Sequence, residues 1–365
     1  MTTATSLYAL SLDQITAAIL AGGNKRTVLM QGHMGTGKSS LLKALGKLLP
    51  KHTMCYFDCT TKDLGDITIP QLQTIDNQGC VRYVTNEELG VHLGKPILLM
   101  VDEYGKANPS VKNAMLRLML ERKMGSYTLH EDSIVFATTN LGAEGVGDLL
   151  PPHARNRMSI VTSRKPTNLE WIEWGIANGI DHTLLGWCKD NPQLFQSFDD
   201  VPNPDDNPYI YHPKQQRAAF VTPRSLEAAS DWLKVRDQYD DQTLTGLLMG
   251  TVGERGAMDL TAHVKLADQL PKLDDLKKDP LHAKVPDSPA AVCMVVYRTL
   301  SIIDATWMDP WMDYMQRLDK EAQGMFANGV RGNKFPADKQ KAVMTNKKFT
   351  QWAMANNYMF TADKK

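Results

Sequence analysis

The sequence predicts an α/β protein in which a parallel sheet lies between helices, followed by a mostly helical C-terminal part. Three observations carry that expectation. An apolar run at residues 27–30 enters a glycine-rich loop, after which Leu41, Leu42, Leu45, Leu48 and Leu49 recur at helical spacing. A second apolar run, PILLMV at residues 96–101, ends in the adjacent carboxylates Asp102 and Glu103. A third, SIVFATT at residues 133–139, ends in the amide of Asn140. Strands that are apolar along their length suit a parallel sheet covered on both faces. Such sheets present their ligand-binding groups at the C-terminal ends of the strands.

The loop after the first run reads GHMGTGKS at residues 32–39. Gly32, Gly35 and Gly37 allow backbone conformations closed to other residues, so successive N–H groups can turn inward toward phosphate oxygens. The following helix directs its positive N-terminal end at the same place. His33, Met34, Thr36 and Ser40 complete the phosphate-contacting stretch. Lys38 is spaced to reach the β- and γ-phosphates and Ser39 to ligate Mg²⁺. The stretch therefore predicts a nucleoside triphosphate site. In that setting Asp102 holds the magnesium, directly or through water, and Glu103 polarises the attacking water. Asn140 either hydrogen-bonds that water or the γ-phosphate region, or begins a turn before Gly142.

Composition narrows the class. A chain of 365 residues exceeds one small domain and points to a core with one or two smaller parts. Hydrophobic residues at 42% and charged residues at 22% are those of a soluble globular protein. Lysine plus arginine equals aspartate plus glutamate at 41 each, so no global field draws nucleic acid or anionic membrane. The longest apolar runs, such as residues 97–101, fall far short of a membrane span, and the start of the chain has no basic-then-apolar signal. A cytoplasmic location is expected. Five cysteines stand at positions 55, 59, 80, 188 and 293. Cys55 and Cys59 make a C-x-x-x-C pair with no second pair at ligand spacing, which predicts buried reduced thiols and no metal site there.

In chain order, residues 1–26 predict a short helix with Leu12, Ile15 and Ile19 on one face. Residues 53–58 read as a second strand. A polar, Gly- and Pro-punctuated segment covers residues 60–79, and residues 86–93 look helical. Residues 112–122 carry a helical period, and residues 125–130 suggest a hairpin. Arg155 and Arg157 sit beside a Pro-Pro turn just before a strand at residues 158–161; they form either a solvated basic loop or an arginine finger reaching a neighbour's γ-phosphate. Residues 167–198 predict helices, with Trp171, Trp174 and Trp187 as core packing. The Pro- and Asp-rich residues 199–213 predict a loop. Thr222 and Pro223 then start a helix, and Arg224 in its first turn runs against the helix dipole, a hint that it answers a phosphate. Residues 258–276, 289–306 and 312–327 predict further helices.

Phosphate loop, Asp-Glu strand end, Asn strand end, arginine pair and Thr-Pro-Arg helix start follow one another in an order that resembles the AAA+ ATPases. More narrowly, VDEYGKANPSVKNAMLRLMLERK at residues 101–123 and VTPRSLEAA at residues 221–229 are similar to the MoxR-like branch. The resemblance covers residues 10–240. It implies a P-loop NTPase (AAA+) core at residues 1–163, a helical lid carrying the second sensor at residues 164–250, and leaves residues 251–365 as a helical extension without assigned chemistry. It implies Walker A at residues 32–39, Walker B at Asp102 and Glu103, sensor 1 at Asn140 and sensor 2 at Arg224. The family's finger follows the pattern Asp-Arg-Phe; here Asn156, Arg157 and Met158 stand in that place, so Arg157 is the finger and Arg155 the alternate.

The resemblance further implies MgATP hydrolysis in a homo-oligomeric, hexameric ring, with candidate substrate-contacting loops at residues 64–83 and 124–131. The implied work is chaperone-like remodelling of a protein partner, often one with a von Willebrand factor A domain. Two alternatives come from other classes. A nucleic-acid motor is disfavoured by zero net charge and the lack of a helix-turn-helix signature. A nucleotide-dependent scaffold with little turnover is disfavoured by the presence of both Glu103 and Asn140.

Overall fold

The computed structural model describes residues 8–38, 40–75, 78–140, 152–267 and 270–357. The chain divides into two compact units, Met1–Lys165 and Pro166–Lys365.

The first unit is built on five strands: β1 (Val28–Gly32), β2 (Thr53–Asp58), β5 (Ile97–Asp102), β8 (Ile134–Asn140) and β9 (Ser159–Ser163). They form one parallel sheet in the order β2-β5-β8-β1-β9. Every residue of β5 is buried, as its apolar run requires of a strand paired on both sides and covered on both faces. Side chains alternate between the faces. On one face Val28, Met30, Leu98, Met100 and Phe136 pack with Ile15 and Ile19 of α1 (Leu12–Gly22) and Leu41 and Leu45 of α2 (Ser40–Leu48). On the other, Leu29, Leu99, Val101, Val135 and Ala137 pack with Val111, Met115 and Leu118 of α3 (Pro109–Glu121). Burying such side chains contributes about 1.5–3 kcal/mol each. Helix α1 starts with a capping box in which Ser11 Oγ accepts from the Gln14 N–H and the Gln14 side chain accepts from the Ser11 N–H.

Two stretches of this unit differ from the sequence expectation. The segment expected as a polar loop holds half of an antiparallel hairpin, β3 (Thr68–Ile75) with β4 (Gln78–Thr85). Among the described residues its strands pair only with each other, and Leu72 is 86% exposed. No burial pattern marks them in the sequence, and Pro70 is tolerated because both strands are edges. Residues 86–93 form two 3₁₀ turns, Glu87–Leu89 and Val91–Leu93, in place of a helix. Gly90 between them has φ 64°, a left-handed conformation that ends the first turn. A short hairpin of β6 (Lys123–Met124) and β7 (Tyr127–Thr128) follows α3, as the glycine at 125 suggested. A single turn, α4 (Pro152–Arg155), precedes β9.

The second unit is helical among its described residues. In order come α5 (Asn168–Ala177), α6 (His182–Asp190), α7 (Pro223–Lys234), α8 (Asp241–Val252), α9 (Glu254–Ala267) and α10 (Leu273–Lys278). Then follow α11 (Pro289–Ile302), α12 (Met308–Met315), α13 (Lys320–Arg331), α14 (Ala337–Met344) and α15 (Lys347–Ala355). One hydrophobic cluster joins them, from Trp171 and Trp187 through Leu248 and Leu260 to Met312, Phe326 and Trp352. Thr222 caps α7 in a capping box with Ser225, with Pro223 in the first turn. The expected helix over residues 312–327 is two helices, because Asp319 caps α13 through the Ala322 N–H at 2.7 Å. Aspartate is a better cap than helix-interior residue. No helix among the described residues is long and apolar enough to cross a membrane.

His263 of α9 faces α6, where the missing side chain of Gly186 leaves room; a Cβ there would lie 3.2 Å from His263 Nε2. Burial lowers the imidazole to about 4. The folded value lies below the unfolded one, so the unfolded chain binds more protons at acid pH. The stabilisation is complete above about pH 6.5 and is lost as pH falls toward 4, on the order of 1–2 kcal/mol by pH 5. Thermal denaturation at pH 7.5 and pH 5 should therefore show a smaller acid-induced fall in Tm for His263→Phe than for the wild type.

Candidate functional site

The functional candidates converge because the sheet order sets β1, β8 and β5 side by side, so that three parallel strands end together. Gly32 pairs with Asn140, and β5 ends at Asp102 on the other side of β8. Gly32 has little room: a Cβ there would fall 2.7 Å from Ser163 Oγ on β9. Beyond it the loop turns through Gly35 at φ 71° and Gly37 at φ 91°, conformations that favour glycine. Thr36 Oγ1 donates to the His33 carbonyl at 2.9 Å, and Ser40 Oγ to the Gly37 carbonyl at 2.7 Å. These bonds brace the loop from within. Ser39 lies outside the described residues, and Met34 is half-buried.

Lys38 is only 6% exposed. Its ammonium donates to the Gly32 carbonyl at 2.7 Å, the His33 carbonyl at 2.7 Å and Asn140 Oδ1 at 2.5 Å. These acceptors are neutral oxygens, weaker partners for a cation than phosphate oxygens. Asn140 Nδ2 in turn donates to Glu103 Oε1 at 3.0 Å. The amide orientation follows from its neighbours, since an ammonium only donates and a carboxylate only accepts. Glu103 Oε2 lies 3.2 Å from Lys106 Nζ. A chain of contacts thus runs from Lys38 through Asn140 to Glu103 and Lys106.

Glu103 adopts φ 50° and ψ 36°, a left-handed conformation that costs a non-glycine residue on the order of 1 kcal/mol. Two bonds hold it there: its N–H donates to Asp102 Oδ1 at 3.0 Å and lies 3.4 Å from Thr138 Oγ1. Asp102 is itself buried. Its Oδ1 also accepts from the Thr138 hydroxyl, and its Oδ2 accepts from the Tyr56 hydroxyl at 2.9 Å. Burial, then the hydrogen bond to Asp102, pushes the Tyr56 phenol well above its ordinary value, so it remains a donor. A hard oxygen donor of this kind fits Mg²⁺, which commonly takes one or two carboxylates together with phosphate oxygens and waters. Among the described residues no cluster of three or more His, Cys, Asp or Glu could hold a metal, and all five cysteines are free.

Arg155 ends α4 and Arg157 follows it, both exposed. Arg224 is exposed in the first turn of α7, in the second unit. Tyr56, Thr138 and Lys106 were not anticipated. Thr138 and Tyr56 carried a signal, each being a hydroxyl residue two positions before the polar end of an otherwise apolar strand. Nothing in the sequence marks Lys106, which reaches Glu103 only through the turn at Tyr104–Lys106.

No protein-family model matches the chain, and no curated protein matches it. Among solved structures, the Thermotoga maritima RuvB Holliday junction branch migration motor is similar at 15% identity, with a TM-score of 0.36, over 74% of this chain and 75% of that one. A proline-to-glycine mutant of T. maritima RuvB gives 16% identity and a TM-score of 0.37 over 75% and 80%. Likeness at these scores bears no weight on function; the site's own geometry does.

The turn that carries Glu103 depends on Gly105, where a Cβ would meet Thr139 Oγ1 of β8 at 2.2 Å. Gly105→Ala should lower stability by about 1–3 kcal/mol in urea denaturation, through overpacking. The double variant with Thr139→Ala, which removes the clashing hydroxyl, should recover most of that loss.

Proposed function

We propose that the chain is a Mg²⁺-dependent ATPase of the AAA+ type. The observation that carries this is the contact chain at the strand ends, in which the phosphate-loop lysine, an asparagine and a glutamate already touch one another. A triphosphate in the loop offers Lys38 anionic oxygens in place of Asn140 Oδ1 and two carbonyls. Asn140, released on that side, keeps Glu103 and turns its acceptor to an attacking water. Glu103 then takes that water's proton as general base. Asp102 and Ser39 would hold Mg²⁺, which would supply charge neutralisation on the phosphates. Proton acceptance by Glu103 requires that Lys106 move away from it or share it, so Lys106 sets the basicity of the carboxylate.

The finer reading rests on the sequence stretches at residues 101–123 and 221–229, which resemble the MoxR-like branch. On that reading copies of the chain assemble into a ring, hexameric by analogy. Arg157 of a neighbouring copy, with Arg155 as alternate, stabilises charge on the transferring phosphoryl group, an effect of 10³-fold or more, roughly, in phosphate-transferring enzymes. Arg224 then couples the helical unit to the nucleotide state, and the work is remodelling of a protein client. The exposure of both arginines accords with a role outside their own subunit's loop.

Turnover of MgATP should be measured against protein concentration, with light scattering to follow assembly. Glu103→Gln should bind nucleotide but lose turnover by a factor of about 10² or more. Arg157→Ala should lose turnover without dissolving the assembly. Turnover that is independent of concentration and survives Arg157→Ala would remove the shared site.

A further inference from the structure

Asp102 is gripped from both sides by hydroxyls of neighbouring strands. Thr138 of β8 donates to Oδ1, and Tyr56 of β2 donates to Oδ2 at 2.9 Å. The register explains how a tyrosine two residues short of its strand's end reaches so far. Tyr56 pairs with Met100, and Asp58 with Asp102. Two residues along a strand span roughly 6.6 Å, about the reach of a phenol from its backbone to its hydroxyl. Tyr56, Met100 and Asp102 share one face of the sheet, so the ring lies along the strand and sets its hydroxyl on the carboxylate. The residue is 45% exposed, and its hydroxyl bonds Asp102 although water is within reach.

A carboxylate oxygen has more than one lone-pair site, so Oδ2 can accept from Tyr56 and still face a cation or a cation-bound water. With one hydroxyl on each oxygen, the plane of the carboxylate is fixed before any ligand arrives. Magnesium demands near-ideal octahedral geometry, and its affinity depends on ligands that need no reorientation.

We infer that Tyr56 is a positioning residue that orients Asp102 for Mg²⁺ and so sets the metal requirement of the nucleotide site. The inference rests on the proposed function and adds to it a residue on the edge strand, remote from the phosphate loop in sequence. Phenylalanine at this position keeps the ring and its packing and removes only the hydroxyl. Asp102 Oδ2 then relies on water, and the carboxylate gains rotational freedom.

The test is binding of a fluorescent, non-hydrolysable ATP analogue to the full chain, first in EDTA and then across a Mg²⁺ titration. Tyr56→Phe should match the wild type in EDTA, which shows that the loop is intact. Its half-saturating Mg²⁺ concentration should rise roughly three- to ten-fold, the scale of one ordinary hydrogen bond lost at a solvent-accessible position. The same displacement should appear with Mn²⁺. A Mg²⁺ titration of Tyr56→Phe that superimposes on the wild type, or lies at lower concentration, overturns the inference alone. Failure of the wild type to bind the analogue at all, with or without Mg²⁺, overturns the reading of the site and the inference together.

Discussion

The structure of the site depends on one constraint: a lysine ammonium buried at the end of a strand must find acceptors. Lys38 cannot reach water freely, and an unpaired buried cation would cost several kcal/mol. It draws on two carbonyls of its own loop and on Asn140 across the gap between β1 and β8. Asn140 can serve only because the sheet order makes β8 the neighbour of both β1 and β5. Its amide has two ends of opposite polarity, so it joins a cation on one side to the Glu103 carboxylate on the other. The loop, the middle strand and the acid turn are thereby coupled through a single side chain.

That coupling explains why strain is tolerated where it is. Glu103 sits in a left-handed conformation beside a turn so tight that Gly105 has no room for a methyl group against Thr139. The local cost is offset by the packing of β5, all of it buried, and by the bonds that Asp102 and Thr138 make to the turn. The sheet is rigid because helices cover both faces, and the rigidity is what lets three strand ends hold polar groups at hydrogen-bond distance. The helical unit shows the other pattern, a continuous apolar core from Trp171 to Trp352 that takes in ionisable side chains such as Cys188, Tyr297 and Tyr314.

Much of this was legible in the chain. Apolar runs that end in Asp102, Glu103 and Asn140 named the strands and the polar ends that meet in the structure, because buried parallel strands leave a plain signal. The cap at Thr222 was read from the sequence; the cap at Ser11 and the break at Asp319 were not, although both follow from local hydrogen bonding. The hairpin at residues 68–85 was hidden because, among the described residues, its two strands pair only with each other, so no periodic burial marks them. The contacts of Tyr56, Thr138 and Lys106 were hidden for another reason. They depend on register between strands distant in sequence and on the path of one turn, which spacing alone does not encode.

On the proposed reading, the glycine loop with Lys38 is a triphosphate site. Calorimetric titration of the full chain with a non-hydrolysable ATP analogue and Mg²⁺ tests it most directly. Saturable binding at one site per chain is expected, lost on Lys38→Ala while the thermal unfolding of the protein is preserved. Wild-type protein that takes up no analogue at millimolar concentration, or binds it equally well after Lys38→Ala, would contradict it.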